Sequence, residues 1–260
     1  MKPATTTPIV TTLGGPTTML EIGGLRFLTD PTFDDPGEYP TGAGYSLIKL
    51  AGPAIPATSL PPIDVVLLSH DQHPDNLDEG GRALLPTVAT VLTTQAAAER
   101  LGAPNVVGLA PWEAVPVQSE QGSVLTVTAL PAQHGPDDSH HLLGPVIGFR
   151  LDAEGLPSVY FSGDNASLAV VTEIRERTGP VDIAILCAGA ARTPRLGDAL
   201  LTLNGDRSAE AARILGARSV IVVHSDGWQH FSEGPEDVRA AFAGSASTLI
   251  SHQHGVPYLV

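Results

Sequence analysis

Three observations predict an α/β protein. Apolar, β-branched runs of strand length recur at residues 63–68, 181–187 and 219–223. Segments of helical period with recognisable start and stop residues alternate with such runs through the second half of the chain. Four runs end in residues fit to hold a metal: at His70 to Asn76, at His134, at Asp164 and at His224. Ligands of α/β sheets gather outside the carboxyl ends of strands. The recurrence therefore specifies a site, where a single histidine after a single strand would not.

The elements follow in order. Residues 1–16 are rich in Thr and Pro and read as a flexible or edge segment. Two short alternating runs, 18–22 and 25–29, flank Gly23-Gly24 and predict a β-hairpin that Asp30-Pro31 ends. Residues 34–62 are dense in Pro and Gly and read as a long loop of the kind that forms lids or substrate walls. The run 63–68 then stops at Ser69-His70-Asp71-Gln72-His73-Pro74-Asp75-Asn76, a concentration of imidazoles and carboxylates. A short helix over 94–101 has Thr94 as N-cap and Gly102 as its stop, with strands at 90–92 and 105–109. Further strands are predicted at 124–129, running toward His134, at 146–151, and at 158–161, ending in Ser162-Gly163-Asp164. Leu168, Val171 and Ile174 recur at helical spacing in a helix over 166–177 that Gly179-Pro180 closes. The last third gives strand 181–187, a helix near 208–215, strand 219–223 and a final helix opened by Pro235. No linker or internal repeat divides the chain, so residues 1–260 read as one domain.

Composition narrows the partners. Hydrophobic residues make up 42% and charged residues 16%, a globular balance. The 28 acidic against 14 basic side chains give a net charge of −14, which repels phosphate backbones and anionic lipid. A small-molecule substrate is expected, with no nucleic acid and no membrane. The N-terminus lacks a secretory apolar region, and no apolar run approaches the roughly 20 residues that span a bilayer. A cytoplasmic, reducing setting fits the single cysteine, Cys187, which reads as a small core residue of its strand. His140 and His141 read as exposed, His252 and His254 as lying off the site, and Trp112 and Trp228 as packing. Arg192 and Arg195 are candidates to meet an anionic substrate group.

Taken together, the 20–31 hairpin, the 69–78 cluster, His134, Phe161-Ser162-Gly163-Asp164, and His224 with Trp228 and His230-Phe231 resemble the metallo-β-lactamase-fold hydrolases, in their lactonase-like branch. The resemblance covers most of the chain and implies a four-layer αββα sandwich with one or two divalent metals at one edge of its sheets. It also makes a homo-oligomer plausible. The family motif is His-x-His-x-Asp-His; here the ungapped match is Asp71-Gln72-His73-Pro74-Asp75-Asn76. Asp71 then replaces the first histidine and Asn76 the last, unless the loop carries one extra residue and His70 is the first ligand. The ungapped version is preferred.

Carried over by position, Asp71 or His70, His73 and His134 would hold the first metal. Asp75, Asp164 and His224 would hold the second, with Asp164 bridging and Asn76 the doubtful member. Zinc is expected first and manganese next, because oxygen-rich shells favour the harder ion. The resemblance implies metal-assisted hydrolysis of a small ester, lactone or amide, with Asp75 handling the proton of the attacking water. His230 would be an oxyanion donor or leaving-group acid, and Asp30 would fix a ligand histidine by a hydrogen bond. Phosphoester cleavage, and a metal-binding protein that has lost catalysis, are the competing expectations.

Overall fold

The computed structural model describes residues 7–41 and 43–260. Its strands are β1 (Ile9–Gly14), β2 (Thr17–Ile22), β3 (Leu25–Thr29), β4 (Gly37–Pro40), β5 (Ser46–Lys49), β6 (Val65–Leu67), β7 (Thr90–Thr94), β8 (Val106–Leu109), β9 (Ala114–Gln118), β10 (Val124–Pro131), β11 (Ile147–Asp152), β12 (Val159–Phe161), β13 (Ile183–Cys187), β14 (Ser219–Val223), β15 (Thr248–Leu249) and β16 (Tyr258–Leu259). The helices are α1 (Glu79–Leu84), α2 (Gln95–Leu101), α3 (His140–Leu143), α4 (Leu168–Thr178), α5 (Gly205–Leu215) and α6 (Pro235–Ala241). One seven-stranded sheet has the order β16-β1-β2-β3-β6-β7-β8 and the other β15-β14-β13-β12-β11-β10-β9, while β4 and β5 pair separately.

Alternation along the strands sets the layers. In β13, Ile183, Ile185 and Cys187 face a core shared with Phe27, Val65 and Leu67 of the other sheet. Ala184 and Leu186 face the opposite way, onto Val171 and Ile174 of α4 and Leu215 of α5. On the far side, Val66 and Leu68 pack with Leu77 and Leu85, and with Leu84 of α1 and Leu101 of α2 at the margin. Both sheets are thus covered on both faces, which is the αββα sandwich.

Local signals explain most boundaries. Gly23 and Gly24 adopt φ of 60° and 83°, the conformation a two-residue hairpin turn demands, and Ile22 pairs with Leu25 across it. Thr94 accepts the Ala97 N–H at 3.1 Å and Gly102 closes α2 with φ 59°. Asn204 caps α5 through the Arg207 N–H, so that helix starts earlier than its apolar spacing predicts. Strand β6 is shorter than its apolar run.

Two expectations are corrected. From Ile9 onward the opening segment is an interior strand, since β1 pairs with β2 on one side and β16 on the other; Thr is β-branched, and Val10 and Leu13 are buried. Residues 1–6 of the expected flexible segment lie outside the described residues. The Pro- and Gly-rich stretch 34–62 is not strandless either: it holds the β4–β5 hairpin, with Tyr39 opposite Leu47. No helix among the described residues is long and apolar enough to cross a membrane.

Candidate metal centre

Strand direction brings the polar clusters together. β3 and β6 run parallel, as do β12, β13 and β14. β10 is antiparallel to β11, and β11 to β12, so β10 points the same way as β12. The loops after β3 and β6 therefore open on one edge of their sheet and those after β10, β12, β13 and β14 on one edge of the other, and the hydrogen bonds from Asn76 to Asp164 and from the Ile147 N–H to the Ser69 carbonyl join the two edges.

Asp30 organises the first part of that edge. The Ser69 N–H donates to its Oδ1 at 2.6 Å, and the Ser69 hydroxyl donates to its Oδ2 at 2.7 Å. The Asn76 amide donates to the same carboxylate at 3.0 Å. With the Ser69 proton directed at Asp30, His70 Nδ1 donates to Ser69 Oγ at 2.8 Å, which leaves Nε2 as the lone-pair nitrogen. His134 is set the same way, by Nδ1 donating to the Leu201 carbonyl at 2.7 Å. His73 Nδ1 lies 3.0 Å from His70 Nε2. One ring nitrogen from each of His70, His73 and His134 lies within 4.8 Å of the other two. Burial holds His70 well below the usual imidazole range and pushes His73 down to about 4, and the neighbouring imidazoles add to both shifts. Both rings are therefore neutral at pH 7 and offer lone pairs. Burial also raises Asp30 to about 7 against the hydrogen bonds from Ser69 and Asn76.

The second part is built on His224. This residue has φ 55°, a left-handed conformation that costs a non-glycine residue about 1–3 kcal/mol, and its N–H is held by the Gly15 carbonyl at 2.8 Å. Its Nδ1 lies 3.1 Å from Asp164 Oδ1 and its Nε2 lies 3.2 Å from Asp75 Oδ2. His230 Nε2 lies 3.0 Å from that same Asp75 oxygen. Asp164 also reaches the first part, 3.8 Å from His134 Nε2. Gly163 makes this approach possible: a Cβ there would stand 2.6 Å from the Ile147 carbonyl and 2.8 Å from Ser69 Cβ. Burial opposes charge on Asp75 and Asp164, but the facing imidazoles outweigh it and hold both well below the carboxylate range. Burial likewise opposes charge on His224, and Asp164 and Asp75 outweigh it and raise that ring well above its usual range.

Both parts fit a bound cation. Asp75 Oδ1, Asn76 Oδ1 and His230 Nδ1 are buried without a hydrogen-bond partner. Each such atom costs about 1–3 kcal/mol when left unsatisfied, so their concentration at one point calls for a ligand.

Not every expected residue converges. Asp71 is buried with its carboxylate turned away, engaged by the Arg100 guanidinium of α2, whose Nε lies 3.1 Å from both oxygens. Of the two candidates for the first position, His70 lies in the imidazole cluster and Asp71 lies outside it. Asn76 gives its amide to Asp30 and, at 3.3 Å, to Asp164. His140 and His141 are exposed. His254 pairs with Asp226 at 2.8 Å, away from these clusters. Trp228 is buried beside Tyr39, Lys49 and His230, and Arg177 stacks on Trp112 at 3.8 Å. Cys187 is a buried residue of the inter-sheet core, as its strand position predicts, and it also groups with Asp164 and His224 within 4.8 Å, a proximity the sequence reading did not find. The rule that singled out His224, a donor at a strand's carboxyl end, applied to it equally.

Similarity to known proteins agrees with this architecture. The profile of the beta-lactamase superfamily domain matches residues 25–225, and the chain belongs to that family. It is an enzyme of the metal-dependent hydrolase class. A metal-dependent hydrolase of Anaeromyxobacter dehalogenans is 26% identical over 259 residues, covering 93% of this chain and 80% of the relative. An N-acyl-phosphatidylethanolamine-hydrolyzing phospholipase D 1 of Caenorhabditis elegans is 28% identical over 229 residues, covering 82% of this chain; the match spans 62% of that phospholipase's length. Among solved structures, an isothiocyanate hydrolase from Delia radicum gut bacteria superposes with TM-score 0.80 at 19% identity, over 97% of this chain and 99% of that one.

Proposed function

We propose that the chain hydrolyses a small-molecule ester, lactone or amide at a centre of one or two divalent cations. In this reading His70, His73 and His134 hold one cation, and Asp75, Asp164 and His224 hold the other, with Asp164 between them. Zinc is proposed first and manganese next. A bound divalent cation would lower the pKa of water from about 16 toward about 7 and polarise the group under attack. The remaining work falls to side chains. Asp75 takes up the proton of the attacking water, and His230, on the same Asp75 oxygen, delivers a proton to the leaving group. Asp30 holds His70 in place through Ser69.

The observation that carries the small-molecule reading is the shape of the entrance. A cleft of about 290 Å³ reaches His73, another of about 400 Å³ reaches His230, and Tyr45 borders both. Spaces of this size accept a metabolite rather than a polymer. Among the described residues no carboxylate lines either cleft, whereas Arg100, Arg195 and Arg192 do; Arg100 is paired with Asp71 and Arg192 with Asp198, which leaves Arg195 as the cation without an acidic partner. In a chain of net charge −14, that lining favours a substrate carrying an anionic group.

A second reading, cleavage of a phosphodiester, is favoured by the same arginines and by the activity named for the phospholipase relative. Metal analysis of the purified chain with turnover assays on a lactone and a bis-aryl phosphodiester tests both. At least one metal per chain with faster lactone turnover is expected. Faster phosphodiester turnover would select the second reading, and absence of both metal and turnover would overturn the proposal.

A further inference from the structure

The expected histidine after Asp75 is Asn76 in this chain, and its amide is already directed at Asp30 and Asp164. An NH2 group has no lone pair to give a cation and the amide oxygen, buried without a partner, is a weaker donor than an imidazole, so the second part of the centre lacks a strong nitrogen donor at that position. Cys187 stands nearby. As the last residue of β13 it shares the inter-sheet face with Ile183 and Ile185, and it pairs in register with Val223, the residue before His224. Its N–H donates to Ser162 Oγ at 2.9 Å, and the following N–H, of Ala188, donates to the Val223 carbonyl at 3.1 Å, so the backbone on both sides of the thiol is fixed. The sulfur, an Asp164 carboxylate oxygen and a His224 ring nitrogen lie within 4.8 Å of one another.

Two features set this cysteine apart from a core methyl group. It borders a carboxylate and an imidazole that are themselves almost wholly buried. The imidazole, moreover, is 0% exposed and its nitrogens face Asp164 Oδ1 at 3.1 Å and Asp75 Oδ2 at 3.2 Å, while the other oxygen of Asp75 is buried without a partner.

We propose that Cys187 supplies a thiolate donor to the cation held by Asp164 and His224, in place of the imidazole that Asn76 does not provide. The assignment rests on the metal-centre reading above and adds the identity of one ligand. Loading releases the Cys187 proton and the proton displaced from His224 to solvent as the sulfur–metal and nitrogen–metal bonds form. A thiolate among these donors favours zinc or cobalt over manganese or magnesium.

Cobalt(II) substitution provides the test, because a cobalt–thiolate bond gives an intense near-ultraviolet charge-transfer band and the chain contains one cysteine. The band is expected in the loaded wild type and absent from Cys187→Ser and Cys187→Val. Both variants should keep the cation of His70, His73 and His134 and should lose at least about tenfold in zinc affinity at the other position. Thermal unfolding of the metal-free forms checks folding; the valine variant fills the space of the thiol and keeps the core apolar. Cobalt bound by the wild type without the band would overturn the cysteine assignment alone. No cobalt bound at all would overturn the metal-centre reading with it.

Discussion

The two halves of the centre prepare for a cation in opposite ways. His70, His73 and His134 are imidazoles gathered against each other, and burial keeps His70 and His73 neutral with lone pairs available. Across Asp164, the other half consists of carboxylates and imidazoles that compensate one another: His224 is driven toward its charged form by Asp164 and Asp75, and those acids are held ionised by it. A cation entering the first half displaces the His73–His70 hydrogen bond but no ring proton from His70, whereas one entering the second must displace the His224 proton. The difference teaches that a cluster of suitable residue types is not one uniform site. Occupancy should be tight and insensitive to partner chemistry in the first half, and selective in the second.

The largest expected effect breaks the comparison outright. His134→Ala should remove metal from the first half alone, while Asp164→Ala, which touches both, should empty both. Each should lower kcat/KM well beyond the roughly 10- to 100-fold typical of losing a supporting partner. Equal metal retention in the two variants, by elemental analysis, would show that Asp164 does not join the halves. Asp30→Asn comes next, weakening the Ser69 bond that orients His70, with an expected loss of about 10- to 100-fold in affinity of the first cation and little change in the second. A titration with a competing chelator separates the two.

The smallest effect belongs to a histidine outside both halves. His254 donates to Asp226, which raises the His254 pKa above its ordinary 6.5 and lowers that of Asp226 below its ordinary 3.8. A raised histidine stabilises the fold below 6.5 and loses that contribution as pH rises through its folded value. A depressed carboxylate contributes above 3.8 and loses it as pH falls through its folded value. The pair therefore contributes most between about pH 4 and 6.5. His254→Gln should lower stability by about 0.2–1 kcal/mol in that window, because both partners are partly exposed, and by less above it, with metal content unchanged. Urea denaturation at several pH values reads this.

Much of the fold was legible because its signals are local. The Gly23-Gly24 hairpin, the Thr94 cap and the Gly102 stop depend on residues a few positions apart. The site was legible at the level of strand ends, since an apolar run giving way to His or Asp marks a carboxyl edge whatever the topology. The choice between His70 and Asp71 was not. Arg100, 29 positions away, engages the Asp71 carboxylate and turns it from the imidazole cluster. Cys187 was hidden for a related reason: its neighbours Asp164 and His224 come from other strands, and only parallel pairing in register sets them beside it. Strand β1 was obscured by threonines that read as a loop until β16, at the far end of the chain, supplies its second partner.

Metal content and turnover of His70→Ala and Asp71→Ala beside the wild type test the central claim, that a metal centre is assembled at the strand ends with His70 in it and Asp71 outside. The account predicts at least one metal per wild-type chain, loss of the first cation and of activity in His70→Ala, and metal content and turnover close to wild type in Asp71→Ala, whose buried carboxylate is turned to the Arg100 guanidinium and lies outside the imidazole cluster. Loss of metal from Asp71→Ala with retention in His70→Ala would contradict it.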